Sequence, residues 1–441
     1  MPGSESKTSL IDRLLCSCGS NEFHWDVGDT SAVPKEREQG APNRVRCKCG
    51  RSWPVIDGIP AFADMVLTVD HFRKIRVVQT DPGNDPRWEP FVSGQPNATI
   101  YHHAPWISAL EAEYGQTGIH LACESIDGEL LAILPLLQTR GLPFNLGGLL
   151  TTRRLSSLPR TPIAGPLSSD RFATDALLKA AIRRAHDAGG LQLQLKTQSP
   201  EFDGIVSGLA WTSWRPSYIL DIRQFSGVAF RVPNSHARAT IKWAINKATR
   251  LGVRVRAADS ESDLRKWYKL YLEAMRRNAV LARSYRFFRS LWDLLRPKGM
   301  MELLIAERQE ETGRTTMLAG SIFLMSDNTV SYAFNGSRRK YLSLRPNDVI
   351  QWRAINDACM RGFQVFDFGE VAEEHSDLAI FKSKWGAQPT RLHRYYYPVP
   401  IESQVGLTVL KSKPRHVAEA IWRLIPLRAT AWLSDLIYRF L

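Results

Sequence analysis

The sequence predicts a mixed α/β protein in four parts: a small cysteine-bearing head, two α/β units in tandem, and an amphipathic helical tail. Three observations carry this reading. Strand-like and helix-like periodicities alternate between residues 66 and 400. Two tight cysteine pairs, Cys16-Ser17-Cys18-Gly19 and Cys47-Lys48-Cys49-Gly50, stand ahead of them. Two short amphipathic segments separated by Pro426 close the chain. The expected parts span residues 8–65, 66–225, 226–400 and 411–441.

A chain of 441 residues suits two to three domains. A charged content of 23% with 44% hydrophobic residues argues against long disordered stretches. The formal net charge of +14 predicts anionic partners: tRNA, anionic lipid, or nucleotide- and pyrophosphate-linked sugars. No uninterrupted apolar run approaches the ~20 residues of a membrane span. The segment Met1-Pro2-Gly3-Ser4-Glu5-Ser6-Lys7 lacks the apolar core of a secretory signal. A cytoplasmic protein, with peripheral contact at the inner face of the membrane, is the expectation.

In the head, two cysteine pairs flanking a loop of about thirty residues suggest a zinc ribbon, with four thiolates on one tetrahedral Zn2+. The ligands would be Cys16, Cys18, Cys47 and Cys49, with His24 a substitute if one thiolate cannot reach. Each pair is spaced by one residue rather than the usual two, and a disulfide is disfavoured in a reducing cytoplasm. Cys123 and Cys359, in apolar segments, read as small core residues. Residues 54–60, Pro-Val-Ile-Asp-Gly-Ile-Pro, follow the second pair, and this combination resembles the Trm112-type zinc domains. That resemblance implies a structural metal and a docking or folding role. Gripping RNA through Arg44, Arg46, Lys48 and Arg51 is the alternative.

The first α/β unit begins with a strand at Ile75–Val78 and a helix containing Trp106, Ile107 and Leu110. A hairpin over residues 119–138 turns at Asp127-Gly128. A helix over 175–188 and a half-buried strand with Leu191, Leu193 and Leu195 complete the unit. The second unit opens with a helix over 235–251, on which Arg238, Lys242, Lys247 and Arg250 form a basic stripe. That stripe is either a solvated face or a track for phosphate. Further helices over 263–274 and 285–295 and strands over 301–306, 318–325 and 329–334 follow. A helix then runs to Gly362, and Val365-Phe366-Asp367-Phe368-Gly369-Glu370 reads as a buried strand ending in polar residues. A loop with Phe381-Lys382 and Trp385 comes next. Open α/β sheets bind ligands at the carboxyl ends of their strands, which makes this strand end a candidate active-site rim. In the tail, Trp422, Trp432, Tyr438 and Phe440 lie on apolar faces among Lys411, Lys413, Arg415, Arg423, Arg428 and Arg439. Such helices either pack on their own domain or lie in an anionic membrane interface.

Residues 336–389, together with Tyr101-His102-His103-Ala104-Pro105-Trp106, residues 128–136 and the basic helix from Arg238 to Val253, resemble the FemAB family. The resemblance covers roughly residues 69–398 and implies two tandem GNAT-like acyltransferase domains. It also implies transfer of an aminoacyl group from aminoacyl-tRNA, or another activated acyl donor, to an anionic cell-wall or lipid-linked precursor. Phe381-Lys382 aligns with the family's Phe-Lys pair, which implies that Lys382 stabilises the oxyanion of the tetrahedral transition state while Phe381 shapes a drier pocket. Asp367 is a candidate to orient the amine or bind backbone, and Glu370 a weaker candidate general base. Arg338, Arg339 and Lys340 are candidates to hold a phosphate or a 3′-terminal nucleotide, and Trp385 to contact substrate.

CoA-dependent relatives cradle pyrophosphate on a glycine-rich loop at a helix N-terminus. The corresponding residues 339–346 contain no glycine, which favours another donor. Two alternatives stand beside this reading: a CoA- or carrier-dependent N-acyltransferase of exopolysaccharide biosynthesis, and a non-catalytic RNA- or lipid-binding adaptor.

Overall fold

The computed structural model describes residues 23–26, 44–49, 52–56, 59–60, 75–141, 153–398, 420–438 and 440. The chain divides into two compact units, Met1–Arg73 and Lys74–Leu441. In the first, β1 (Phe23–Asp26), β2 (Arg44–Cys47), β3 (Ser52–Ile56) and β4 (Ile59–Pro60) pair antiparallel in that order. Cys47 ends β2 with a buried side chain, and Cys49 follows in the adjoining turn. Cys16 and Cys18 lie outside the described residues.

The second unit opens with β5 (Ile75–Thr80), α1 (Trp88–Ser93) and α2 (Ala104–Tyr114). The hairpin β6 (His120–Ser125) and β7 (Leu130–Leu134) follows, then β8 (Leu137–Thr139), β9 (Arg154–Ser156) and β10 (Leu167–Ser168). Next come α3 (Arg171–Asp187), β11 (Gln192–Thr197) and β12 (Ala210–Asp221). The chain continues through α4 (Ser235–Arg250), β13 (Val253–Ala257), α5 (Glu261–Arg277) and α6 (Tyr285–Leu294). Then follow β14 (Met301–Gln309), β15 (Thr315–Ser326), β16 (Thr329–Ser337), α7 (Pro346–Met360) and β17 (Val365–Glu370). The last elements are α8 (Ser376–Ser383), β18 (Gln388–Tyr397) and α9 (Leu427–Tyr438). The side chains of Asp170, Asn234, Ser260 and Ser284 each accept a first-turn amide, which fixes where α3, α4, α5 and α6 begin. Among the described residues no helix is long and apolar enough to cross a membrane.

Four strands form a sheet in the order β10-β7-β6-β5. Ten form a second sheet, β13-β14-β15-β16-β17-β12-β18-β11-β9-β8. β18 enters between β12 and β11, antiparallel to both, so one sheet runs through both halves of this unit. Pro216 cannot donate to a ladder, and it sits in β12 where the register with β18 shifts, the place a central strand tolerates proline. Helices α2, α5 and α6 meet in an aromatic cluster. Trp106 stands edge-on to Phe287 at 5.5 Å, and Trp267 edge-on to Phe288 at 4.9 Å. Beside it the buried Arg283 guanidinium pairs with the buried Glu113 carboxylate and joins α2 to the start of α6.

Candidate active site

β16 and β17 run parallel and pair only from Thr329 opposite Val365 to Ser331 opposite Asp367. Beyond that point they diverge, and a cavity of about 740 Å3 opens between the separated ends. Tyr332 to Asn335 line one side and Phe368, Gly369 and Glu370 the other.

Lys382 enters this cavity from α8, with Leu378 one turn earlier on the same face. The Phe-Lys pair expected in a loop is therefore on a helix. Its eight residues are too few to show a helical period in the sequence. The Lys382 Nζ donates to the carbonyls of Gly369 at 2.8 Å and Glu370 at 3.2 Å. An ammonium has three N–H groups, so one remains for a ligand. Burial pushes its pKa down to about 8, against the pull of Asp367 and Glu370.

Asp367 holds this arrangement from below. Its Oδ1 accepts from Ser217 Oγ at 2.6 Å and from the Gly369 amide at 2.7 Å, and burial raises its pKa. Gly369 has φ +77°, a backbone conformation that side-chain-bearing residues rarely adopt, so glycine keeps the turn. Asp367 is thus a positioning residue: it sets Gly369, whose carbonyl sets Lys382. Glu370 is engaged at both oxygens, with Arg394 Nη2 at 3.0 Å and Trp214 Nε1 at 3.1 Å.

The polar face of the ten-stranded sheet forms the opposite wall. By strand alternation Ser156 on β9, Gln194 and Lys196 on β11, and Arg394 and Tyr396 on β18 all face the cavity. Ser156, Gln194 and Tyr396 are cross-strand neighbours joined by hydrogen bonds of 3.1 and 3.3 Å. Arg154, Arg160, Arg215 and Arg277 add further positive charge, and Glu370 is the one carboxylate among the described lining residues. A loop with Leu158 and Arg160 at φ +53° borders this wall. Its carbonyls at Leu158, Arg160 and Pro162 accept from Lys196, Arg283 and Arg394 respectively. Non-glycine residues at positive φ carry strain, and three buried cations hold the loop in place.

The other expected site residues are distributed as follows. Phe381 is half-buried and is not among the residues that line the cavity, with Lys384 Nζ 4.3 Å from its ring centre. Trp385 is wholly buried in the core with Leu220, Phe230 and Phe366 and lines neither cavity described here. Arg338 lies 3.9 Å from Glu273, and Lys340 sits over the Tyr341 ring. Arg339 is close enough to Arg277 that its charge, added to burial, lowers the Arg277 pKa. Arg238 and Lys242 edge a separate groove of about 450 Å3 floored by Phe230, Ile241, Ile245 and Trp352. Lys196, Trp214 and Arg394 carry no signal in the sequence that marks them as site residues, and Tyr101 stands in a family-like segment without an assigned role. Tyr101 projects from the segment before α2, and burial, with Asp367 and Glu370 across the cavity, raises its pKa.

Residues 235–377 match a family model described as an acetyltransferase (GNAT) domain. No curated protein matches the sequence. Among solved structures, FemX aligns with a TM-score of 0.56 at 14% identity, covering 76% of this chain and 99% of that one. A C-terminal domain of a putative lysylphosphatidylglycerol synthetase from Agrobacterium fabrum aligns with a TM-score of 0.48 at 12% identity, covering 75% and 95%. L-PGS from Bacillus licheniformis aligns with a TM-score of 0.48 at 12% identity, covering 76% and 97%. The chain carries a GNAT acyltransferase domain within a mixed α/β fold of the kind seen in FemX.

Proposed function

We propose that the protein transfers an aminoacyl group from aminoacyl-tRNA to an amine of a peptidoglycan precursor or related anionic cell-envelope substrate. The observation that carries this reading is the cavity at the divergence of β16 and β17, which Lys382 shares with two further buried cations, Lys196 and Arg394. The amine attacks the ester carbonyl, and the spare N–H of Lys382 meets the oxyanion as it forms. The C–O bond to the tRNA ribose then breaks, the amide forms, and the amine proton leaves with the ribose hydroxyl. Lys196, Arg160 and Arg394 would hold an anionic group of the acceptor.

The donor assignment rests on the segment between β16 and α7. It is a 3-10 turn, Arg339–Leu344, followed by Arg345 at φ +60° and Pro346. Proline removes one first-turn amide and the segment has no glycine, so the backbone is a poor cradle for the CoA pyrophosphate. The family model's description as an acetyltransferase favours the second reading, transfer from acyl-CoA. In the head, the sulfur donor set of Cys47 and Cys49, one residue apart across a turn, suits a structural Zn2+ completed by Cys16 and Cys18.

Purified protein offered radiolabelled aminoacyl-tRNA or acetyl-CoA together with cell-wall precursor tests this. Label moving from tRNA, and lost in Lys382→Ala, supports the proposal. Label moving from acetyl-CoA instead replaces the donor, and transfer from neither overturns the reading.

A further inference from the structure

α9 leaves large apolar residues on its outward side while burying two hydroxyls on its inward side. Thr430, Ser434 and Tyr438, spaced by four, are buried against the rest of the unit. The Ser434 Oγ accepts the Ala282 amide at 3.2 Å, and the Thr430 hydroxyl donates to the Pro426 carbonyl at 3.2 Å. Two residues away, about 200° around the helix, the outward face carries Arg428, Trp432 and Leu436. Trp432 is 65% exposed and Leu436 43%. Just upstream Ile421 is 56% exposed and Leu424 82%. The inward side packs Leu427, Ala431 and Tyr438 on the core together with two hydroxyls, while a tryptophan and a leucine are left outside, where folding alone favours polar residues. Scattered exposed apolar residues are ordinary, but a continuous patch marks an interaction surface.

Charge decides the occupant. Arg428 shares the outward face, and Arg423 is exposed beside Leu424. The sequence adds Lys411, Lys413, Arg415 and Arg439 to the same segment, against only Glu419 and Asp435. Asp435 already meets Arg286 at 3.3 Å. A second copy of this face would set like charge against like charge about a twofold axis. Tryptophan and leucine ringed by arginine suit the headgroup level of an anionic bilayer.

We propose that α9 and the turn before it seat the protein on an anionic lipid surface beside the catalytic cavity. Phe440 lines that cavity, and the Tyr438 ring lies 5.3 Å beneath the guanidinium of Arg160, also on its wall. One helix therefore presents one face to lipid and joins the reaction chamber at its end, within about a helix diameter, ~10 Å. An acceptor held in the membrane would meet Lys382 without leaving the surface.

Co-sedimentation of the full chain with vesicles tests this with neither donor nor acceptor present, so it can succeed or fail independently of the transfer reaction. Vesicles of phosphatidylcholine with phosphatidylglycerol should pellet the protein, those of phosphatidylcholine alone should not, and added salt should release it. Trp432→Glu with Leu436→Glu should lower the bound fraction about tenfold at unchanged Tm. The proposal fails if wild type stays in the supernatant with anionic vesicles or binds both vesicle types equally. It fails too if the double variant pellets like wild type. Light scattering that shows a dimer lost in the double variant, without vesicle binding, would assign the face to a second copy instead.

Discussion

Lys196 and Arg394 stand directly opposite each other in the antiparallel pairing of β11 and β18, the first 5% and the second 3% exposed. Like charges opposed across strands destabilise a sheet. Glu370 offsets Arg394, while the Lys196 Nζ donates to the neutral Leu158 carbonyl. Burial, then the charge of Arg394, lowers the Lys196 pKa well below its ordinary value. An anion arriving in the cavity would relieve this.

Lys196→Met should therefore raise KM for the anionic acceptor about tenfold or more, the order expected for losing a charged hydrogen bond. Folding stability should change little, because relief of the repulsion from Arg394 offsets the loss of the Leu158 carbonyl's partner. Steady-state kinetics paired with thermal unfolding reads both. An unchanged KM would remove Lys196 from substrate binding.

The rate of transfer should fall as pH rises through about 8, where Lys382 loses its proton. Below that value the cation is present and can meet the oxyanion; above it the neutral amine donates more weakly. Lys382→Arg should abolish this alkaline limb, and Lys382→Ala should lower kcat by about 100- to 1000-fold. A limb that persists in the arginine variant belongs to another group.

At Gly336 on β16 an added Cβ would lie 2.5 Å from the Tyr271 amide nitrogen and 2.8 Å from the Leu270 carbonyl carbon. These are backbone atoms of α5 and cannot swing aside. Gly336→Ala should cost about 1–3 kcal/mol in chemical denaturation. A neutral result would show that α5 can lift from the sheet freely.

His102 is buried, receives the Thr99 amide at Nδ1 and meets the Gly165 carbonyl through Nε2, which fixes the neutral tautomer with the proton on Nε2. Burial lowers its pKa from 6.5 to about 4. The unfolded chain therefore binds more protons between those values, and its contribution to stability is lost as pH falls from 6.5 towards 4. His102→Gln should flatten the pH dependence of Tm in that window; an unchanged slope would rule out His102 as its source.

For the head, metal analysis should find one zinc per chain, and Cys47→Ser or Cys16→Ser should lose it. A chelator should then lower protection from proteolysis in residues 1–73 alone. A metal-free protein with an intact head would exclude the ribbon.

Much of the α/β fold was legible because it rests on local periodicity. The helices over 235–250 and 285–294 and the strand beginning at Val365 fall where the apolar spacing puts them. The pairing of β12 with both β17 and β18 was not, since register between distant strands leaves no local mark. The same holds for the cationic wall. On β11 the reading followed Leu191, Leu193 and Leu195 into the core and left the alternate face, Gln194 and Lys196, unassigned. Lys382, Glu370 and Tyr101 line the cavity as part of recognisable segments, whereas Trp214 and Arg394 reach it only through the fold.

The insertion of β18 between β11 and β12 also sets a timetable for synthesis. Gln194 and its cross-strand neighbour Tyr396 lie 202 positions apart. A ribosome adding about 5–20 residues per second needs roughly ten to forty seconds to cover that distance. Until β18 is made, β11 and β12 lack the strand that pairs with both, and the hydrogen-bonding edges it covers have no partner. A chaperone that shields those edges until the last strand emerges would decide how much of the newly made protein reaches the folded state.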